Sequence, residues 1–365
     1  MSPEPILRVG TRKGLFNFQR QGRHDWRMQS HAFSGEPVTM LLHDAGRKKT
    51  YAGLNLGHFG VKLFAIATDN DGNSTGAPEE IACPQFPSSD ADNAPSVTQI
   101  WELAVSPDKS APTLWAGTIP AALFRSDDGG RSWQWIESLW NRPEREYWGG
   151  GGYDQPGIHS ISVHPSNANN VLVAISSGGV WETDDGGKSW ALRGKGLRAE
   201  YMPPEQAYEP NAQDPHRMVR CPVAPERLWI QHHNGIFRSD DGAHNWSEIK
   251  DVYPSAFGFG VVVHPHNPNR AWFVPAVKDE KRIPRDGKLV VTRTEDGGQS
   301  FTVLSKGLPE PAYDLVYRHA LDIHADGDIL AFGSTTGNLW VSENGGDEWH
   351  CLSHHLPPIN VVRFD

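Results

Sequence analysis

Residues 123–133 read LFRSDDGGRSW, and the pattern inside them, Ser126-x-Asp128-x-Gly130-x-x-Trp133, returns four times along the chain. Thr183, Asp185, Gly187 and Trp190 form the second copy, and Ser239, Asp241, Ala243 and Trp246 the third. The fourth is Thr294, Asp296, Gly298 and Phe301, and the fifth is Ser342, Asn344, Gly346 and Trp349. Successive copies begin 57, 56, 55 and 48 residues apart. A period near fifty residues marks a repeat architecture built from one supersecondary unit per repeat. Each copy is a short apolar strand, a polar turn and an aromatic that opens another strand. The Asp can accept hydrogen bonds from the N–H groups of its own turn, and the hydroxyl can brace the loop. Gly supplies backbone geometry that a Cβ disfavours.

On these residues the pattern resembles the Asp-box, or BNR repeat, of sialidases and related β-propellers. It is also similar to bacterial cytosolic Asp-box proteins labelled glycosyl hydrolase-like. The resemblance implies a propeller fold, with the repeated aspartates structural and lying on the face away from the active site.

Composition agrees with a large all-β domain. Of 365 residues, 38% are hydrophobic, including 14 Trp, 14 Phe and 8 Tyr, which is ample core material. The 37 Gly and 28 Pro suit many tight turns. Long amphipathic helical periodicity is absent, and no apolar run is long enough to span a membrane. The opening MSPEPILRVGTRKG has no apolar signal core, and Cys83, Cys221 and Cys351 are odd in number and far apart. Both point to a cytoplasmic location. A formal net charge of −10 argues against nucleic-acid and anionic-membrane partners.

The strand-like segments predict one seven-bladed β-propeller filling residues 1–365. Its blades are 6–32, 38–83, 100–137, 159–193, 218–249, 258–304 and 319–353. Blade one is one strand short, and INVVRF at 359–364 has no blade of its own. The last strand is therefore expected to complete the first blade and close the ring. In such a fold the connections between blades share a face with the loops between the second and third strands. The repeated turns lie on the other face. Long insertions at 84–98, 140–158, 194–217, 278–288 and 306–318 then mark the functional face.

The repeat also sorts the 17 histidines. His164, His264 and His324 close the first strands of their blades on the turn side and read as turn structure. Five residues earlier, at the opposite rim, stand Trp101, His159, Phe259 and His319. His232 and His233 precede the Asn234-Gly235 turn, and His58 precedes an equivalent turn in blade two. The expected site is a ring at the central mouth. It holds His58, His159, His232 or His233, Arg318 and His319, with Arg12 and Lys13 from blade one. The loop YWGGGGYDQPGIH adds Tyr147, Tyr153 and Asp154, and LPEPAYDLVYRH adds Tyr313, Asp314 and Tyr317.

Three chemistries fit such a ring. His58, His159, His232 and His319 could hold one Fe, Mn, Cu or Zn ion for lyase or oxygenase-like chemistry. This follows the architecture of carotenoid-cleaving oxygenases and some propeller lyases, none of whose motifs is present. Alternatively, Asp154 and Asp314, with Tyr317 and Arg318, could serve a metal-independent glycosidase. Arg12, Lys13, Tyr147, Tyr153 and His233 would then bind substrate. True sialidase chemistry is disfavoured, because the first blade reads VGTRKGLF in place of the Arg-Ile-Pro signature and no Tyr–Glu pair can be assigned. The third reading is a non-catalytic platform for a protein or glycan, using the loop tyrosines. The clustered His and Arg favour an enzyme acting on a small molecule or glycan at the central mouth.

Overall fold

In every copy of the repeated turn, the hydroxyl and the side-chain oxygen of Asp, or of Asn344 in the fifth copy, close the loop on themselves. The Ser126 hydroxyl donates to Asp128 Oδ1 at 2.8 Å and accepts from the Gly130 N–H at 2.8 Å. Asp128 Oδ1 also accepts from the N–H groups of Arg131 and Ser132. Thr183–Asp185, Ser239–Asp241, Thr294–Asp296 and Ser342–Asn344 repeat the hydroxyl-to-carbonyl bond. Hydrogen bonds from hydroxyl and N–H groups, the Ser132 hydroxyl first, hold the Asp128 carboxyl well below its ordinary range. The motif's tryptophan reaches the neighbouring blade: Trp133 Nε1 donates to Ala82 O, Trp190 to Ser138 Oγ and Trp246 to Arg193 O. The repeat therefore ties the turn together and pins adjacent blades.

The computed structural model describes residues 4–88, 94–107 and 113–365, so the part of the 84–98 insertion at 89–93 lies outside the described residues. Twenty-eight strands form seven four-stranded antiparallel sheets, a seven-bladed β-propeller. Blade one has the order Ile359–Phe364, Ile6–Thr11, Gly14–Gly22 and Asp25–Ala32. The last strand is thus innermost in the first blade, with Val9 opposite Val362 and Leu7 opposite Phe364. This is the closure that the lone INVVRF segment implied. Trp115, Trp181, Trp229, Trp272 and Trp340, from the middle strands of blades three to seven, are fully buried. Each removes roughly 4 kcal/mol or more of apolar surface from water.

A polar knot fills the axis beneath the mouth. Glu102 of blade three is buried and paired with Arg217 of blade five. It also meets His319 Nε2 at 3.5 Å and Arg363 Nη2 of the last strand at 3.6 Å. Arg217 and His319 both donate to the His159 carbonyl at 2.8 Å. Burial alone would raise the Glu102 carboxyl, but Arg217, then His319 and Arg363, hold it far below its usual range.

Candidate functional site

Above the knot lies an axial cavity of about 520 Å³. Its wall comes from the inner ends of first strands and from the loops of the long-loop face. Arg12 enters from the turn of blade one, Trp101 from blade three, Phe259 from blade six, and Tyr317, Arg318 and His319 from the approach to blade seven. Gly151, Gly152 and Tyr153 arrive on the glycine-rich loop, and Arg282 on the insertion of blade six. Gly151 and Gly152 have φ of 51° and 99°. At Gly151 an added Cβ would stand 2.8 Å from Ser176 Cβ, so the glycine run is what lets this loop pass so close.

Arg318 dominates the cavity. Its guanidinium lies 4.9 Å from the Trp101 ring and 5.4 Å from the Phe259 ring. Burial lowers its pKa from the ordinary arginine value, with Asp214 the leading opposing charge. Its Nε is buried with no hydrogen-bond partner among the described residues. Arg282 faces the same Phe259 ring at 5.4 Å and is held by Asp279 at 2.6 Å. No carboxylate lines this cavity among the described residues.

A second cleft of about 200 Å³ shares the Gly151, Gly152, Phe259 and Arg282 wall. It is built on the first two strands of blade five, Pro215–Cys221 and Ala224–His232, where Pro215 pairs with His232. Asp214 and His216, two apart on extended backbone, share a side there, and His233 sits across the hairpin. Asp214 Oδ2 lies 3.3 Å from His233 Nδ1 and 3.6 Å from His216 Nε2. Asp214 Oδ1 accepts from the Ser177 N–H at 3.0 Å, and His216 Nδ1 lies 2.7 Å from the Gly258 carbonyl. Burial would raise Asp214, but hydrogen bonds from His216 and His233 and the charge of Arg318 hold it well below its usual range. Asp214 in turn raises His233, while burial lowers His216.

The expected ring is only partly assembled. Arg12, Tyr153, Tyr317, Arg318 and His319 line the axial cavity, and His233 lines the adjoining cleft. Tyr147 is exposed over a more apolar pocket of about 360 Å³ beside Tyr201 and Met202. Lys13 is exposed and lines none of the described cavities.

The four histidines assigned to a metal are not gathered, and no three of them come within ligand reach among the described residues. His58 is exposed on its turn against the Phe59 ring. His232 Nε2 accepts from the Asp214 N–H, His159 Nδ1 bonds to the Ser160 hydroxyl, and His319 belongs to the knot. Burial lowers all three, His232 to about 3 and His319 to about 4. Strand register could not show which ring nitrogens were already engaged.

The paired carboxylates also fail to form. Asp314 turns into the loop of blade seven, accepting from Ser334 Oγ, Thr336 Oγ1 and Asn338 Nδ2. Asp154 is exposed and lines none of the cavities. Sequence reasoning passed over Glu102, Asp214, His216 and Arg282. The Asp-x-His spacing at 214–216 carried a readable signal, as did a lone Glu in the apolar strand Gln99–Val105. Arg282 opens an Arg-Ile-Pro tripeptide at 282–284, in blade six and not in the first blade. The discounted His164, His264 and His324 are turn residues, each Nδ1 accepting the N–H two residues on.

Fold and site together define a seven-bladed propeller with an arginine-lined axial cavity and a His–Asp cleft beside it. No family model matches the chain. It is 24% identical over 291 residues to the oligoxyloglucan-reducing end-specific xyloglucanase of Emericella nidulans, and likewise to a probable enzyme of that name from Neosartorya fischeri. The match covers 72% of this chain and 33% of each relative, so the chain spans about a third of the length of the curated relatives it matches. Among solved structures, an ancestral GH74 enzyme matches with a TM-score of 0.57 at 15% identity, over 90% of this chain and 38% of that one. A putative 6-phosphogluconolactonase from Bacteroides uniformis gives 0.61 at 12% identity over 99% of both chains. YCF48 bound to D1 peptide gives 0.55 at 15% identity over 94% of both. These likenesses establish the propeller fold.

Proposed function

We propose that this propeller is a glycan-acting enzyme of the Asp-box type whose substrate presents an anionic group to Arg318. The five self-closed turns support the Asp-box assignment, and the similarity to xyloglucanases supports a glycan. The observation that carries the anionic group is Arg318, a buried guanidinium between Trp101 and Phe259 whose Nε has no protein acceptor among the described residues. A buried guanidinium N–H without an acceptor is costly, and a substrate carboxylate or phosphate would supply two charge-assisted hydrogen bonds. Arg12 and Arg282 strengthen the field, and Tyr153 and Tyr317 offer rings for a sugar to lie against. Because no acidic side chain lines the axial cavity among the described residues, the reacting bond is best placed toward the Asp214–His233 cleft.

Isothermal titration with D-glucuronate, D-galacturonate, glucose 6-phosphate, glucose and xyloglucan oligosaccharides tests this reading. An anionic sugar should bind, and both Arg318→Gln and the exposed Arg12→Gln should weaken it, the former by about tenfold or more. Equal binding of neutral and anionic sugars, unchanged by either substitution, would overturn the anionic assignment. A protein-binding alternative is favoured by one feature, the apolar pocket under Tyr147, Tyr201 and Met202. There, Tyr147→Ala would lose a partner without altering sugar binding.

A further inference from the structure

The chemistry of the cleft beside the cavity goes beyond ligand anchoring. His216 is 2% exposed, and its Nδ1 lies 2.7 Å from the carbonyl oxygen of Gly258. A carbonyl only accepts, so Nδ1 carries the hydrogen at that contact, and Nε2 is the nitrogen left to face the carboxylate, where it donates when protonated and can ligate a metal when not. His216 Nε2 lies 3.6 Å from Asp214 Oδ2, and His233 Nδ1 faces the same oxygen at 3.3 Å. One carboxylate oxygen flanked by two imidazole nitrogens takes a cation between them, either protons on the rings or a single metal ion in their place.

The surroundings are those of a metal-binding set. Asp214 is aimed by the Ser177 N–H on its other oxygen, and His216 by Gly258 O and by stacking on Phe259 at 4.5 Å. A hydrogen bond from the distal ring nitrogen to a backbone carbonyl is the usual way a ligating histidine is oriented. All three donor atoms lie within 4.8 Å of one another. For bonds of about 2.1 Å, tetrahedral neighbours stand about 3.4 Å apart, and the two separations bracket that value. Two imidazoles with one carboxylate suit Zn²⁺, Fe²⁺, Mn²⁺ or Co²⁺ better than the all-oxygen sites preferred by Ca²⁺ and Mg²⁺.

We propose that Asp214 Oδ2, His216 Nε2 and His233 Nδ1 bind one divalent first-row transition ion, whose remaining coordination positions open into the cleft between Tyr201, Asp279 and Arg282. Of the expected ring only His233, the alternative to His232, belongs to this set; His58, His159, His232 and His319, the four assigned to a metal, do not. The cleft shares a wall with the axial cavity, so a ligand held by Arg318 would have an oxygen within approach of the ion. The metal site does not depend on the anionic-glycan reading.

The test is a Co²⁺ titration of untagged full-length protein that has been stripped with chelator and dialysed, read by visible absorption and by calorimetry, with Zn²⁺ as competitor. One equivalent of Co²⁺ should give the absorption of an ion in a mixed nitrogen–oxygen field, displaced by Zn²⁺. His216→Ala and Asp214→Asn should weaken binding by about a hundredfold, while the exposed control His58→Ala should change nothing. His233→Ala, which lies just outside the strand and is partly exposed, is the variant least expected to disturb folding and should cost about tenfold or more. No cobalt spectrum, or uptake unaltered by His233→Ala, would overturn the proposal. Sugar binding by the stripped protein is read separately, so failure of one reading leaves the other standing.

Discussion

At the scale of single residues, the decisive quantity is which polar atoms are already engaged. His43 and His319 are both held to about 4, chiefly by burial, with Arg8 the next cause at His43 and Glu102 opposing it at His319. Their unfolded value is about 6.5. Between these values the unfolded chain binds more protons than the folded one, so stability is present above about pH 6.5 and is lost as pH falls toward 4. Urea unfolding at pH 7 and pH 4.5 should show this loss, and His43→Gln should remove roughly 1–2 kcal/mol of it; a slope unchanged in the variant would refute the assignment. Sequence could place Arg12, Tyr153, Tyr317 and Arg318 at one mouth, because strand register fixes which rim a residue reaches. It could not show that Asp314 is consumed by the 334–338 loop of blade seven, since that depends on side-chain rotamers. Asp214 and His216 were legible in principle as an i, i+2 pair, but they sat in a stretch read as a connecting loop.

At the scale of the element, the repeated turn was readable because its hydrogen bonds run between residues two to four apart, and such local chemistry leaves its mark in the sequence. Its tryptophans were less readable. Trp133, Trp190 and Trp246 bond to the preceding blade or the segment that follows it, a partner more than fifty residues away. Asp185→Ala removes the acceptor for Lys188 N, Ser189 N and the Ser189 hydroxyl. By analogy with the loss of a helix cap it should cost about 1–2 kcal/mol. The turn lies on the face opposite the cavities, so ligand affinity should be untouched. A thermal melt run beside a sugar titration checks both, and lost affinity without lost stability would contradict the structural role.

At the scale of the whole molecule, blades one, three, five and seven meet in the buried knot of Glu102, Arg217, His319 and Arg363. Removing one partner of a buried ion cluster leaves the others uncompensated, typically at about 3–5 kcal/mol. Glu102→Ala should therefore be strongly destabilising by urea denaturation, and Glu102→Ala/Arg217→Met should recover part of the loss. If the single variant were as stable as the parent, the knot would not be a keystone. Arg363 lies on Ile359–Phe364, the strand that also completes blade one. Until residue 364 has left the ribosome, the first blade keeps an open inner edge and the axial floor lacks one of its charges. The cavity above that floor is then expected to be among the last features to form during synthesis, and a chain truncated before residue 359 should carry nearly every blade and still lack a finished cavity. Completion of the cavity, whose wall includes Asn360, is in this sense a readout of whether the chain has been read through to residue 364.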